Sequence, residues 1–224
     1  MATHIPPLRN KLRNIKVLRG PFPETNFDDF PDTPQQAFIG WLDEAIQAGV
    51  KEAHSMTLST VDEHGWADAR VLILKELDER GWHFAARGDS PKAFQIKQNA
   101  HVALTFYWPE VGRSIRIRGK ANQLPDEESQ EDFSERPLGS RMSAVASKQS
   151  QKLESRDVLL QRVADVEAQM AQGSCSLPKL DWRLYAVEPF VVEFWQGSHD
   201  RLHQRVRFLP GSGGDGWVKE LLWP

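Results

Sequence analysis

Short alternating apolar segments, each closed by a tight-turn signal, constrain this chain more than any other feature. Residues 54–61 alternate and end in β-branched side chains, and the four residues 62–65 end in Gly65 and read as a hairpin turn. Residues 67–75 form a second such segment, 78–81 a second turn and 82–86 a third strand. Residues 101–108 and 113–123 supply strands four and five, and 182–187, 190–195, 202–209 and 217–221 close the chain as further strands. Period-2 patterning of this kind predicts antiparallel pairing and closure into a barrel decorated with helices. The fold class expected is mainly β with helices (α+β).

The helical signals fall between the strands. Thr33 and Pro34 make a helix start, and Phe38, Trp41, Leu42, Ala45 and Ile46 then recur at helical spacing up to Gly49. A short helix is expected from Ser90, and two or three helices over 126–172. Residues 1–33 carry Pro6, Pro7, Pro21, Pro23 and Pro31 and read as an arm that either hangs free or lies over the remainder. The division expected is an arm over 1–33 and one domain over 34–224 that includes the helical insertion 126–172.

Composition excludes several classes. Lys and Arg number 28 against 31 Asp and Glu, a net charge of −3, which argues against a protein built to coat nucleic acid or a membrane surface. Any anion site must be a local cluster. One cysteine, Cys175, excludes an intramolecular disulfide framework and a multi-cysteine zinc site. No apolar run reaches membrane-spanning length, and the first residues lack a signal-peptide layout, so a soluble cytoplasmic protein is expected. Metal-site spacings, the GxGxxG fingerprint, the Walker loop and the GxSxG elbow are all missing.

Several clusters carry possible chemistry. Glu193 to Arg205, reading EFWQGSHDRLHQR, gathers a Trp, two His and two Arg around Gly197. Arg201, His203 and Arg205 share one face if a strand runs through them, and then suit either an anionic ligand or a charged edge strand. Arg70 and Lys75 bracket four apolar residues and point to opposite faces of one strand unless a bulge intervenes; they fit two parts of a site or two surface cations. Ser90, Pro91 and Lys92 open a helix; they fit either an ordinary N-cap or a phosphate seat made by its free N–H groups and Lys92. In 113–120, Ser114, Arg116, Arg118 and Lys120 alternate with Ile115 and Ile117, which gives one basic face. Arg136 and Ser140 stand at a turn, and 147–150 offers further polar groups including Gln149 and Ser150. A phosphate or flavin site here must be assembled from scattered cations rather than from one glycine loop.

In order along the chain, MTLSTVD (56–62), RVLILK (70–75), SPK (90–92), FYWPEVGR (106–113), RPLGS (136–140), SKQS (147–150), EFWQGSHDRLHQR (193–205) and the closing GWVKELLWP resemble the pyridoxine/pyridoxamine 5′-phosphate oxidase family. The resemblance runs from about residue 35 to 224. It implies a split β-barrel that binds FMN at a homodimer interface. It implies oxidation of pyridoxamine or pyridoxine 5′-phosphate to pyridoxal 5′-phosphate, with O2 accepting the electrons and H2O2 released. Carried over by position, Arg70, Lys75, Ser90, Lys92, Gln149, Ser150, Trp195 and Arg205 contact FMN. Lys75, Arg136 and Ser140 hold the substrate phosphate, and Arg201 and His203 cover the substrate ring as the catalytic pair.

The chain departs from the family pattern at Ala85 and Ala86, at Pro91, at Ser114 (where Gln is usual), at Leu12 and at Asp132 (where Tyr is usual). A carboxylate at 132 repels a phosphate unless it turns away or pairs with Arg136. Three readings stay open. One is the phosphate-substrate oxidase. Another is a related flavin oxidase acting on a phenazine-precursor-like substrate. The third is a non-catalytic module that binds flavin or pyridoxal phosphate.

Overall fold

The alternation in the sequence becomes strand pairing residue by residue. The structure is a computed structural model and describes residues 8–18, 20–171, 180–214 and 216–224. Cys175 and residue 172, the end of the expected insertion, lie outside these described residues. β1 (Ser55–Val61) pairs with β2 (Ala67–Ile73) through a turn in which the Asp62 carboxylate accepts from the N–H groups of His64 and Trp66. β3 (Glu76–Asp78) and β4 (Gly81–Arg87) form a second hairpin, and β5 (His101–Trp108) and β6 (Arg113–Gln123) a third. β7 (Trp182–Gln196), β8 (Gln204–Pro210) and β9 (Trp217–Leu222) complete a 9-stranded sheet. Its order is β2-β1-β5-β6-β7-β4-β3, with β8 and then β9 added alongside β7.

β7 organises the molecule. Its first part pairs with β4, its last part with β8, and β6 runs beside both. The sequence reading ended one strand at 187 and began another at 190; the chain instead forms a single strand of 15 residues. A register shift opposite Arg118 and Gly119 absorbs Pro189 and Phe190, since a bulge is where a paired strand tolerates proline. Gly119 permits this approach: a Cβ there would lie 2.2 Å from the Glu188 carbonyl oxygen.

Two further boundaries differ from the sequence reading. β2 stops at Ile73, so Lys75 lies beyond the strand, where its N–H donates to the His83 carbonyl. Arg70 and Lys75 are therefore not two ends of one strand. β8 begins at Gln204, so Arg201 and His203 sit in the β7–β8 connection and do not share a strand face with Arg205. Arg201 has φ +67°, a left-handed conformation incompatible with strand continuation.

The core lies between the sheet and α2 (Pro34–Gln47). Thr33 caps that helix by accepting from the Gln36 N–H, and Phe38, Trp41 and Ala45 recur at helical spacing to face the sheet. Phe38 meets Trp82 and Phe106, while Trp41 meets Phe30 and Phe194, mostly edge to face. Phe27 and Phe30, within the stretch read as an arm, are buried in this core. α1 (Leu8–Arg13) is exposed. α3 (Pro91–Gln98) follows β4, and α4 (Asp126–Glu135), α5 (Leu138–Ala146) and α6 (Arg156–Ala171) occupy the expected insertion, with α4 against β7.

Candidate active site

The first cation cluster forms where β2 faces the start of α3. Arg70 donates to the Thr60 hydroxyl at 2.6 Å, to the Gln95 amide oxygen at 3.2 Å and to the Asp68 carboxylate at 2.5 Å. Lys92 is 6% exposed, and among the described residues no carboxylate lies within ion-pair distance of its ammonium. Burial, and then the nearby positive charge of Arg70, push the Lys92 pKa down. Ser90 is fully buried, but its hydroxyl donates to the Arg87 carbonyl at 2.6 Å and does not cap α3. It shapes the helix entry and leaves the first N–H groups of α3 free of a side-chain cap. A buried lysine beside an arginine, at a helix N-terminus, carries charge that Asp68 and Asp89 offset only from beyond ion-pair distance and that a bound anion would offset directly. A phosphate monoester such as that of FMN fits this donor set.

The second cluster joins α4, α5 and β7. The Arg136 guanidinium lies 4.2 Å from the Trp182 ring centroid, and its Nη1 is buried without a partner among the described residues. Trp182 Nε1 donates to one Asp132 oxygen at 2.7 Å, and Lys75 Nζ pairs with the other at 2.9 Å. Asp132 therefore neither turns away nor pairs directly with Arg136; it holds Lys75. A cavity of about 430 Å³ is lined by Arg136, Ser140, Ser147 and Gln149, with Arg87 at its wall. Arg87 is fully engaged: it grips Asp89 through two nitrogens and donates to the Ala144 and Ser147 carbonyls at 2.7 and 2.6 Å. It thus ties the entry of α3 to the end of α5. Ser150 follows with φ +64°.

The third cluster is carried by three adjacent strands. Ser114, Trp195 and Arg205 stand side by side in register on β6, β7 and β8. Glu193, two residues before Trp195 on the same face, takes Arg205 through two nitrogens at 2.9 and 2.6 Å and Arg116 at 2.5 Å. Arg205 also donates to the Trp223 carbonyl at 2.9 Å, which pins the chain's last residues. The His203 ring lies 4.8 Å from that of Trp195, and His203 Nδ1 accepts from the Ser198 N–H at 3.0 Å. That bond places the neutral imidazole's proton on Nε2. A cavity of about 750 Å³ brings Trp195, Arg201 and His203 together with Tyr107 and with Lys16, Val17 and Leu18 of the N-terminal stretch.

Apart from Ser150, which follows Gln149 in the chain but does not line the pocket, the expected site residues fall into three groups: Arg70, Ser90 and Lys92; Lys75, Arg136, Ser140 and Gln149; and Trp195, Arg201, His203 and Arg205. β1, β5 and β6 separate β2 from β7 in the sheet order, and among the described residues no hydrogen bond or ion pair joins the first group to the third.

Residues 42–170 match the family model described as pyridoxamine 5′-phosphate oxidase, and residues 182–224 match the model of the pyridoxine 5′-phosphate oxidase C-terminal dimerisation region. The chain belongs to the pyridoxamine 5′-phosphate oxidase family. It is 42% identical over 197 residues to the pyridoxine/pyridoxamine 5′-phosphate oxidase of Haemophilus influenzae, covering 88% of this chain and 91% of that protein. It is 39% identical to the protein of the same name from Salinibacter ruber, over 90% of this chain and 94% of that one. Among solved structures, PhzG from Burkholderia lata 383, in complex with tetrahydrophenazine-1-carboxylic acid, superposes with a TM-score of 0.83 at 30% identity over 92% of this chain and 100% of that one. An FMN-binding, pyridoxamine 5′-phosphate oxidase-related protein of Nostoc punctiforme shares the fold, with a TM-score of 0.64 at 16% identity over 86% of this chain and 98% of that one.

Within this oxidase-family framework, sequence reasoning passed over Arg87, Glu193 and Tyr107. Glu193 was findable, because strand alternation places it on the face of Trp195. For Arg87 the sequence shows only the nearby Asp89, while the backbone carbonyls that complete its binding lie 57 and 60 residues away. No helix among the described residues is long and apolar enough to cross a membrane, and no group of metal-ligating side chains occurs among them.

Proposed function

We propose that the protein is an FMN-dependent oxidase that converts pyridoxamine or pyridoxine 5′-phosphate to pyridoxal 5′-phosphate. O2 accepts the two electrons and leaves as H2O2, and water releases ammonia from the amine substrate. The observation that carries this reading, in a chain of this family, is the buried Lys92 beside the half-buried Arg70, with no carboxylate in ion-pair contact with Lys92. When bound, FMN supplies the two-electron acceptor for the reaction.

The chain's own groups orient and charge the site. Arg70, Lys92 and the N-terminus of α3 hold the FMN phosphate, with Ser90, Lys75, Gln149 and Ser150 around the cofactor and Trp195 and Arg205 beside its ring. Arg136 and Ser140, with Lys75 behind them, hold the substrate phosphate. Arg201 and His203 cover the substrate ring, and the Nε2 proton of His203 is available as a hydrogen-bond donor. Orientation of the reacting carbon is the main task, since the electron chemistry belongs to the cofactor.

Three intervening strands between the Arg70 and Trp195 groups support a site completed by a second copy of the chain, so the working form is a homodimer. The family relation supports action in the cytoplasm. The carboxylate of Asp132 beside the Arg136 pocket, together with the likeness to PhzG, favours a second reading: the same oxidase chemistry on a carboxylate-bearing, reduced phenazine precursor.

The test is FMN reconstitution followed by oxygen consumption and H2O2 release with pyridoxamine 5′-phosphate, pyridoxine 5′-phosphate and a reduced phenazine carboxylate. Turnover of a pyridine phosphate is the expected result. FMN-loaded protein that oxidises neither pyridine substrate overturns the first reading, and turnover of the phenazine compound alone establishes the second.

A further inference from the structure

Lys75, Asp132, Trp182 and Arg136 form a relay in which one carboxylate controls two cations. Asp132 is largely buried, receives Lys75 Nζ at 2.9 Å on one oxygen and the Trp182 indole N–H at 2.7 Å on the other. Arg136 stacks on the same indole at 4.2 Å, so Asp132 lies within its electrostatic reach without bonding to it. The pocket beside Arg136 is lined by Ser140, Ser143, Ser147 and Gln149, which supply neutral donors. Lys75 does not line that pocket, and the Arg87 guanidinium at its wall is already neutralised by Asp89. Arg136, with its buried and unpartnered Nη1, is left as the pocket-lining cation without a carboxylate partner among the described residues.

We propose that Asp132 is the specificity-determining residue of this pocket: by holding Lys75 it limits the pocket to one uncompensated positive charge. Resting on the oxidase reading above, this assigns the substrate's anionic end a site matched to a single negative charge. A doubly charged phosphate binds there more weakly than the residue set Lys75, Arg136 and Ser140 would otherwise allow. The carboxylate supplies both effects, because it neutralises the ammonium and adds its own repulsion to an incoming anion.

Asp132→Asn separates charge from shape. The amide keeps an oxygen for the Trp182 N–H, removes the negative charge and releases the ammonium of Lys75. In the FMN-loaded dimer, KM for pyridoxamine 5′-phosphate is expected to fall about tenfold, which corresponds to about 1.4 kcal/mol. The Kd for inorganic phosphate, measured by titration calorimetry, is expected to fall in parallel. KM for pyridoxamine without its phosphate stays within about twofold, a selectivity that a general structural effect does not produce. Adding Lys75→Met to Asp132→Asn abolishes the gain. Should Asp132→Asn not fold, Asp132→Ser retains an oxygen in a smaller side chain and carries the same expectations.

An unchanged or raised KM for the phosphorylated substrate in a folded variant overturns the proposal and makes Asp132 a positioning residue for Lys75. An equal gain for the phosphate-free substrate overturns it as well. If the parent protein oxidises neither pyridine phosphate, the oxidase reading is what fails, and phosphate calorimetry on the variant still decides the charge of the pocket.

Discussion

Lys92 shows how a single side chain can oppose the fold and suit the proposed site. Burial lowers its pKa, and Arg70 adds to the effect. The free lysine titrates at about 10.4, so between the lowered folded value and that point the unfolded chain holds more protons and stability rises with pH. Below the lowered folded value the ammonium is charged in both states and its destabilising cost is present in full. Lys92→Met is therefore expected to stabilise the cofactor-free protein at pH 7 by about 1 kcal/mol, raising Tm by about 2–4 °C, while weakening FMN binding at least tenfold. Thermal melts with and without FMN check this, and a lower cofactor-free Tm for the variant contradicts it. Arg205 behaves differently, since Glu193 neutralises it and the chain end accepts from it. The cation-rich segment 193–205 was visible in the sequence, but the division of labour within it was not. Alternation placed Trp195 and Arg205 on strands; the left-handed backbone at Arg201 then takes Arg201 and His203 out of β8 and into the turn over the cavity.

At the scale of elements, local patterning succeeded where one face of a strand is buried and the other exposed. β5 and β6 occur over the residues expected, because Val102, Leu104, Phe106, Ile115 and Ile117 alternate with polar positions. It failed on β7, where Pro189 reads as a break. The partner strand decides otherwise, since a bulge opposite Gly119 carries the chain past the proline. Gly81 performs a comparable service where β4 begins, with φ +114° and the Val187 carbonyl oxygen 1.9 Å from the position of an added Cβ. Gly81→Ala forces the β4–β7 pairing apart, and a loss of about 3 kcal/mol is expected from urea unfolding. A change below about 1 kcal/mol would show that β4 shifts freely against β7.

For the molecule as a whole, the C-terminal strands leave apolar surface uncovered. Leu221 is 68% exposed and Trp223 90% exposed, within the segment that matches the dimerisation model. A homodimer covering this face is expected to lose partner affinity at least tenfold on Leu221→Lys combined with Trp223→Ser, read by sedimentation velocity. FMN affinity should fall with it under the proposed shared site; a monomer that retains full FMN affinity contradicts that proposal. The sequence by itself determined the antiparallel hairpins, the helical insertion and the family, and it named the candidate residues of the proposed site, because side-chain period and turn chemistry are local and survive without tertiary context. Only the tertiary structure decided that Lys75 belongs to Asp132, that Arg87 is bound into backbone carbonyls and that Lys92 is buried beside Arg70. Those pairings join residues tens of positions apart, and the charge left over for a ligand is the sum of such long-range pairings.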